Sequence, residues 1–508
     1  MPLECSVSVP LLAECPEQKS ELSIDEILQE WVGELGPAQV LHFTLVSLIW
    51  CLQAILTFTM VFADRTPSWT CAEQLCDSVF SMCSLDPSLW EWSGDVGETT
   101  VSEWGLICNN SYKVGLVQCS FFVAALLGAG LCGCLSDSFF GRKKVLVCTS
   151  SLGSMLGMLS AFAPCFWVYV VLRMATGFSV GGMGTCAFVL ATELVGPSKR
   201  GPVSMSIFFL YSCGIIILSA FAYFTISWRQ LYLLGSAPFI PYCLFILPWV
   251  AESPRWYLAR GKADMALCLL KQVASRNGRT IPEMITLKVE HSIVTQDVMV
   301  DMPCLSNAGA FAIFKISSLR KRILSLLFIW LSNGLSYYGI NFNVPNVGGN
   351  NSLGLILNAV GAMPAYVITS VLLQKYGRRR VLAFVLLVSG FSWLGGALGA
   401  GTKVRMVCGM MAIFGVASAY NLVFIYTAEL FPTEVRNAAM GLAAQASQLG
   451  SILAPLAATA VHMYGWVSYS VFSVAALTSF GLALCLPETL EKPMHETIQG
   501  MLDYMDHV

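Results

Sequence analysis

Charge is what this chain lacks. Only 12 % of its 508 residues are charged and only five are histidine, while 56 % are hydrophobic and the mean hydropathy is +0.67. A soluble domain of this length has too little polar surface to cover so much apolar area. Metal spacing is missing too: neither the cysteines nor the histidines fall in a ligand pattern, so no metal is expected. No nucleophile–base arrangement stands out, which argues against an enzyme. Glycine clusters of the GxGxxG kind lie inside apolar runs with no strand before them, so no nucleotide, cofactor or nucleic acid is expected as a ligand. A cleavable leader is also missing, since residues 1–36 are polar and acidic with no basic stretch leading into an apolar one. The net charge of −2 decides nothing, because placement matters more than the sum.

What is abundant is the apolar run of roughly 20 residues, long enough to cross a hydrocarbon core of about 30 Å. Such runs must be helices, because lipid offers the backbone no hydrogen bonds. Twelve are expected, starting near Val40, Lys113, Lys144, Phe166, Val203, Trp228, Ile323, Ser352, Arg380, Arg405, Ala438 and Gly465. The fold class is therefore an all-α membrane protein. Before the first run, Ser23-Ile24-Asp25-Glu26 reads as a capping box. Ile24, Ile27, Leu28, Trp31 and Val32 then share one helical face, which predicts a short amphipathic helix along the membrane surface.

The basic residues sort between alternate loops. Twenty-three of the 29 fall on one side, five on the other, and Arg173 lies inside a helix. This bias places both termini in the cytoplasm. The opposite side carries a long loop, residues 64–112, with Cys71, Cys76, Cys83 and Cys108. An even set there predicts two disulfides in one of three pairings. The other fifteen of the 19 cysteines read as small apolar fillers. Asn109 and Asn350 each begin a glycosylation sequon on the same side.

Four landmarks recur at one offset. Gly141 opens GRKK and Gly377 opens GRRR; Glu193 matches Glu429, Arg200 matches Arg436, and Glu252 matches Glu488, each 236 residues apart. The chain is thus a repeat. The expected domains are a cytoplasmic segment (1–36), a six-helix bundle (37–250), a linker (251–322), a second bundle (323–487) and a tail (488–508). Parallel halves place a cavity at their interface, opened to each side by rocking. Every landmark falls on the cytoplasmic side. Asp137, Gly141, Arg142, Glu193, Arg200 and Glu252, with Gly377, Arg378, Glu429, Arg436 and Glu488, are expected to form two ion-pair latches. These hold the inner helix ends together while the cavity faces out. The second copy has Gln374 about where the first has Asp137, which predicts a weaker latch.

GRKK, LRMATGFSVGG (172–182), AESPRW, YTAELFPTEVRN and LPETLEKP resemble the major facilitator superfamily across all twelve helices. The cysteine-bearing first loop with TTVSEWGLIC (99–108) resembles that of the organic cation/carnitine transporters, closest to the plant members. The resemblance implies a major facilitator fold of two pseudo-symmetric halves and an aromatic contribution of the seventh helix to the cavity. It also implies that Asn421 is a cavity position. In proton-coupled relatives the arginine matching Arg173 pairs with an aspartate in the first helix. Here that helix has no carboxylate, and Gln53 stands about where one is expected, so Arg173 is left to backbone carbonyls or Gln53. No other carboxylate is evident within the membrane, which favours a uniporter or exchanger.

Polar groups deep in lipid-crossing helices are functional candidates. Trp330, Asn333, Tyr337 and Asn341 recur along one face of the seventh helix. Tyr420, Asn421 and Phe424 lie in the tenth, and Gln445 and Gln448 share a face of the eleventh. The aromatic faces suit a quaternary ammonium. By the resemblance, at the position of Gln448 the organic-cation relatives carry aspartate, and anion-carrying and some carnitine-carrying relatives carry arginine; an amide suits a zwitterion or a neutral polar ligand. The expected function is a monomeric secondary transporter of a small organic cation or carnitine-like zwitterion, in the plasma or vacuolar membrane. The alternatives are a sugar or other neutral-solute carrier, or a transport-inactive receptor that keeps the fold.

Overall fold

A backbone in lipid must close its own hydrogen bonds. The computed structural model accordingly shows twelve long helices among its described residues, which are 20–71, 82–84, 89–138, 140–288, 313–342, 351–399, 402–459, 466–490 and 501. The first half holds α1 (Pro37–Ala63), α2 (Tyr112–Asp137), α3 (Arg142–Ser160), α4 (Phe166–Thr192), α5 (Pro197–Phe224) and α6 (Trp228–Trp249). The second holds α7 (Ser317–Phe342), α8 (Asn351–Tyr376), α9 (Arg378–Leu398), α10 (Thr402–Leu430), α11 (Thr433–Thr459) and α12 (Val467–Leu484). All except α3 and α11 are long and apolar enough to cross a membrane. Those two are diluted by Arg-Lys-Lys at the start of α3 and by Glu434, Arg436 and the glutamines of α11.

Packing follows the small residues. A Cβ on Gly181 of α4 would lie 2.0 Å from the Ala125 carbonyl of α2, so the two backbones touch where only glycine fits. Across the halves, α2 packs on α11, and α5 packs on α8. These contacts are equivalent under the repeat, since α2 corresponds to α8 and α5 to α11. One buried core gathers Phe58, Phe121, Tyr169 and Trp228 in the first half, and another gathers Trp330, Tyr426 and Phe431 in the second.

The segment before α1 differs from expectation. Its capping box is present: Ser23 accepts from the Glu26 backbone while Glu26 accepts from the Ser23 backbone. The helix from Ile24 runs on to Val32, but Ile24, Ile27, Leu28 and Val32 are buried against Leu194, Ala266 and Leu270. The apolar face therefore packs on the Ala263–Arg276 helix rather than on lipid. Strand β1 (Ser20–Leu22) pairs in parallel with β4 (Ile285–Leu287), fastening the segment to the linker. In the long loop, β2 (Trp69–Cys71) and β3 (Trp90–Trp92) form an antiparallel ribbon.

Candidate functional site

A cavity of about 250 Å³ lies between the halves, with walls from α1, α4, α5, α7, α8, α10 and α11. Aromatic rings dominate it. Trp330 and Phe424 meet edge to face with centroids 4.4 Å apart, and Tyr420 stands 5.6 Å from Trp330. From the first half, Phe188 stacks on Phe424 at 6.3 Å and Phe208 reaches Tyr420 at 6.2 Å. Two hydrogen bonds orient this wall: Trp330 Nε1 donates to Thr427 Oγ1 at 3.1 Å, and the Tyr420 hydroxyl meets Ser447 Oγ at 2.7 Å. None of the lining side chains is charged; the polar ones besides tyrosine are Gln53, Thr185, Asn421 and Gln448. Two amide oxygens, Gln53 Oε1 and Asn421 Oδ1, are buried without a hydrogen-bond partner.

Seven of the ten residues nominated from the sequence line this cavity: Gln53, Trp330, Tyr337, Tyr420, Asn421, Phe424 and Gln448. Asn333, Asn341 and Gln445 do not. Asn341 is turned into the protein, donating to the Tyr337 carbonyl and accepting from Asn358 Nδ2 at 3.2 Å. Asn333 is buried with its amide nitrogen unpartnered. In α11 the wall is formed by Ala444 and Gln448, which leaves Gln445 off the lining face. The sequence reading missed Trp50, Phe208, Tyr211 and Tyr366, because an aromatic in an apolar helix looks the same whether it packs or lines a cavity. Towards the long loop, Phe58 and Phe122 meet Tyr338 and Phe342, with centroids 4.8 to 5.9 Å apart. Tyr338 lines the cavity, so this aromatic cluster adjoins it on that side.

The opposite end carries the repeated motifs. Gly141 and Gly377 start α3 and α9 with φ of +83° and +86°. A Cβ there would lie 2.5 Å from Glu252 Oε2 and 2.6 Å from Glu488 Oε2. Glu252 accepts from the Arg142 and Lys143 backbones, and Glu488 from those of Arg378 and Arg379. Each glutamate thus caps a helix start whose orphan N–H groups favour an anion. Arg142 pairs with Asp137 at 2.9 Å and Glu193 at 3.5 Å; Arg378 pairs with Glu429 at 2.8 Å. These pairs each stay within one half. Burial pushes the Glu193 and Glu252 carboxyls above their usual range despite the nearby Arg142. Arg200 stands apart from the expected cluster, bonding Asp25 at 2.9 Å and the Val195 carbonyl. The docked N-terminal helix supplies that closer acid, and Arg255 shares it. Arg436 is half-buried on α11.

Arg173 is fully buried in α4. It donates to the Leu56 carbonyl at 2.8 Å and lies over the rings of Phe121 and Tyr232. The backbone-carbonyl expectation holds, and a buried carboxylate that the sequence reading did not single out stands at the C-terminal end of α1. Asp64, one residue past α1, is 6 % exposed. It accepts from Thr100 Oγ1 at 2.7 Å and from the Tyr169 hydroxyl at 2.9 Å, and Tyr169 in turn meets Tyr232. Burial raises its carboxyl to about 6, outweighing those bonds and the attraction of Arg173. In the sequence Asp64 reads as the first loop residue; only the fold-back of Thr100 buries it.

In the long loop Cys83 and Cys108 form a disulfide, Cys71 is disulfide-bonded as well, and Cys76 lies outside the described residues. Asn109 is exposed, and Asn350 lies outside the described residues. Cys51, Cys132 and Cys186 are buried free thiols, as fillers should be, whereas Cys134 and Cys268 are disulfide-bonded. Among the described residues no group of His, Cys, Asp and Glu has a metal-holding arrangement.

Comparison with known proteins completes the picture. The family described as "Sugar (and other) transporter" matches residues 58–500. "Organic cation/carnitine transporter 4" of Arabidopsis thaliana is 45 % identical over 506 residues, covering 97 % of this chain and 95 % of that protein. "Organic cation/carnitine transporter 2" of Homo sapiens is 32 % identical over 417 residues, covering 81 % and 73 %. Among solved structures, the partially occluded inward open conformation of the xylose transporter XylE from E. coli matches with a TM-score of 0.62. It is 18 % identical and covers 90 % of this chain and 99 % of that one, a likeness of fold.

Proposed function

Because the chain belongs to the sugar (and other) transporter family and, within it, to the organic cation/carnitine transporters, we propose that it moves a small organic cation or zwitterion across a membrane by alternating access. The cavity supports this reading: it is rich in aromatic rings, holds no charged side chain, and lies between two halves that can rock. A quaternary ammonium over such rings gains about 0.5 to 2 kcal/mol per good contact. With no formal counter-charge present, the amides of Gln53, Asn421 and Gln448 are left to receive a ligand's polar end. A zwitterion such as carnitine offers both halves of that match.

The motif end is cytoplasmic in this reading, as the basic-residue bias requires. The Arg142 and Arg378 clusters tie inner helix ends within each half, and they are formed beside a chamber that opens at the motif end, so they brace each half rather than latch the two together. The halves are 37–250 and 323–487, joined by the 251–322 linker, and the carrier acts as a monomer in the plasma or vacuolar membrane. Counterflow in proteoliposomes tests the reading. Saturable, trans-stimulated flux of carnitine or tetraethylammonium supports it; a ligand-induced thermal shift with no flux would identify a sensor instead.

A further inference from the structure

A second chamber of about 330 Å³ opens at the motif end, between the start of α5 and the ends of α8 and α10. Tyr366 and Asn421 line both this chamber and the aromatic cavity, so the two adjoin. Their chemistry differs. The inner chamber has Arg378 and Glu429 in its wall, with Thr369, Ser370 and Gln374 beside them.

The repeat shows what is unusual here. In the first half Arg142 faces two carboxylates, Asp137 and Glu193. In the second half Arg378 faces Glu429 as its one acid among the described residues, using Nε at 3.2 Å and Nη2 at 2.8 Å, both to Oε1. The other oxygen of Glu429 is taken by Thr489 at 2.6 Å. Arg378 Nη1 has no hydrogen-bond partner among the described residues, and Gln374 brings an amide where an acid would neutralise it. At the throat Asn421 is 3 % exposed with Oδ1 unpartnered. A guanidinium edge flanked by an amide and hydroxyls is a carboxylate receptor, because the planar fork matches two oxygens.

We propose that this chamber is a second ligand site, which holds the carboxylate of a small zwitterion on Arg378 while Tyr366 and Asn421 admit its ammonium to the aromatic cavity. The proposal rests on the transport reading above. It makes the inner face select for a carboxylate, although the central cavity carries no cation to do so.

The test compares carnitine with choline, which keeps the ammonium and lacks the carboxylate. Full-length carrier is reconstituted in one orientation, and half-saturation is measured from each face. Gln374→Glu restores an acid beside Arg378, and Arg378→Gln removes the guanidinium. Either change is expected to raise the half-saturation for carnitine from the motif face fivefold or more. Choline from that face, and carnitine from the loop face, should move less than twofold. Equal shifts for both ligands would mean that Arg378 acts only by fastening α9 to α10; no shift would mean that the chamber holds nothing, and either result overturns the proposal. If Arg378→Gln does not fold, the exposed Gln374→Glu decides alone. A wild type that carries neither ligand saturably overturns the transport reading and this proposal with it, whereas transport of both with parallel shifts overturns only this one.

Discussion

The two halves use one device at the motif end and diverge around it. A glycine with positive φ, a helix start and a glutamate capping it recur with matching hydrogen bonds, Gly141 with Glu252 and Gly377 with Glu488. Around this frame the charges differ. The first half gives its arginine two acids, and it buries a further aspartate and arginine, Asp64 and Arg173. Among the described residues the second half gives its arginine one acid, and Gly409 stands at the repeat position of Arg173. What the fold needs is repeated, and what departs from the repeat marks where the halves have been put to different uses.

The glycine pair should give the largest effect. Gly141→Ala and Gly377→Ala each force a side chain into a glycine-only backbone region and against a half-buried carboxylate. Each should cost roughly 2 to 4 kcal/mol. Thermal unfolding of detergent-purified protein measures this, and equal losses are expected; a loss in one half only would break the equivalence.

The arginines should separate the halves. Arg142→Gln leaves the half-buried Glu193 without its cation, at a cost of roughly 1 to 3 kcal/mol. Arg378→Gln strands only Glu429, which keeps its bond from Thr489, and should cost about 1 kcal/mol. The same unfolding assay reads both, and a larger loss for Arg378→Gln would reverse the ranking of the two clusters.

The smallest effect concerns Asp64, a feature of the first half alone. Its carboxyl is raised from 3.8 to about 6 in the folded state. A raised acid favours the neutral form, so its stabilising contribution is present below about pH 4 and is lost as pH rises through about 6. Asp64→Asn should remove that slope from a stability profile between pH 4 and 7. It should be no less stable than wild type at pH 7, because the desolvation cost of the buried charge is gone, and the lost attraction to Arg173 limits the gain to about 1 kcal/mol. An unchanged slope would show that Asp64 does not titrate there.

Twelve helices, the repeat and the motif-end clusters were legible because each leaves a linear mark: apolar length, a fixed 236-residue offset, and charge in a chain with little of it. The cavity was half legible. Polar residues in apolar helices stood out, which found Gln53, Asn421 and Gln448. Face periodicity alone could not tell Tyr337, which lines the cavity, from Asn341, which turns to Asn358. Burial of Asp64 and the docking of Ile24 on the linker helix were invisible, because both depend on segments that fold back from far along the chain.

Gln448→Asp tests the central claim most directly, that an uncharged aromatic cavity between the halves is where the ligand sits. At about 4 Å and an effective dielectric near 20, the new charge would attract a cation by roughly 4 kcal/mol, and desolvation removes much of that. Competition by choline, carnitine and an uncharged analogue is measured on wild type and variant. The account predicts that choline binds roughly tenfold tighter, that carnitine binds more weakly because its carboxylate meets a like charge, and that the uncharged analogue is unaffected. If all three respond alike, or none responds, Gln448 does not face the ligand, and the cavity between the halves is not the binding site.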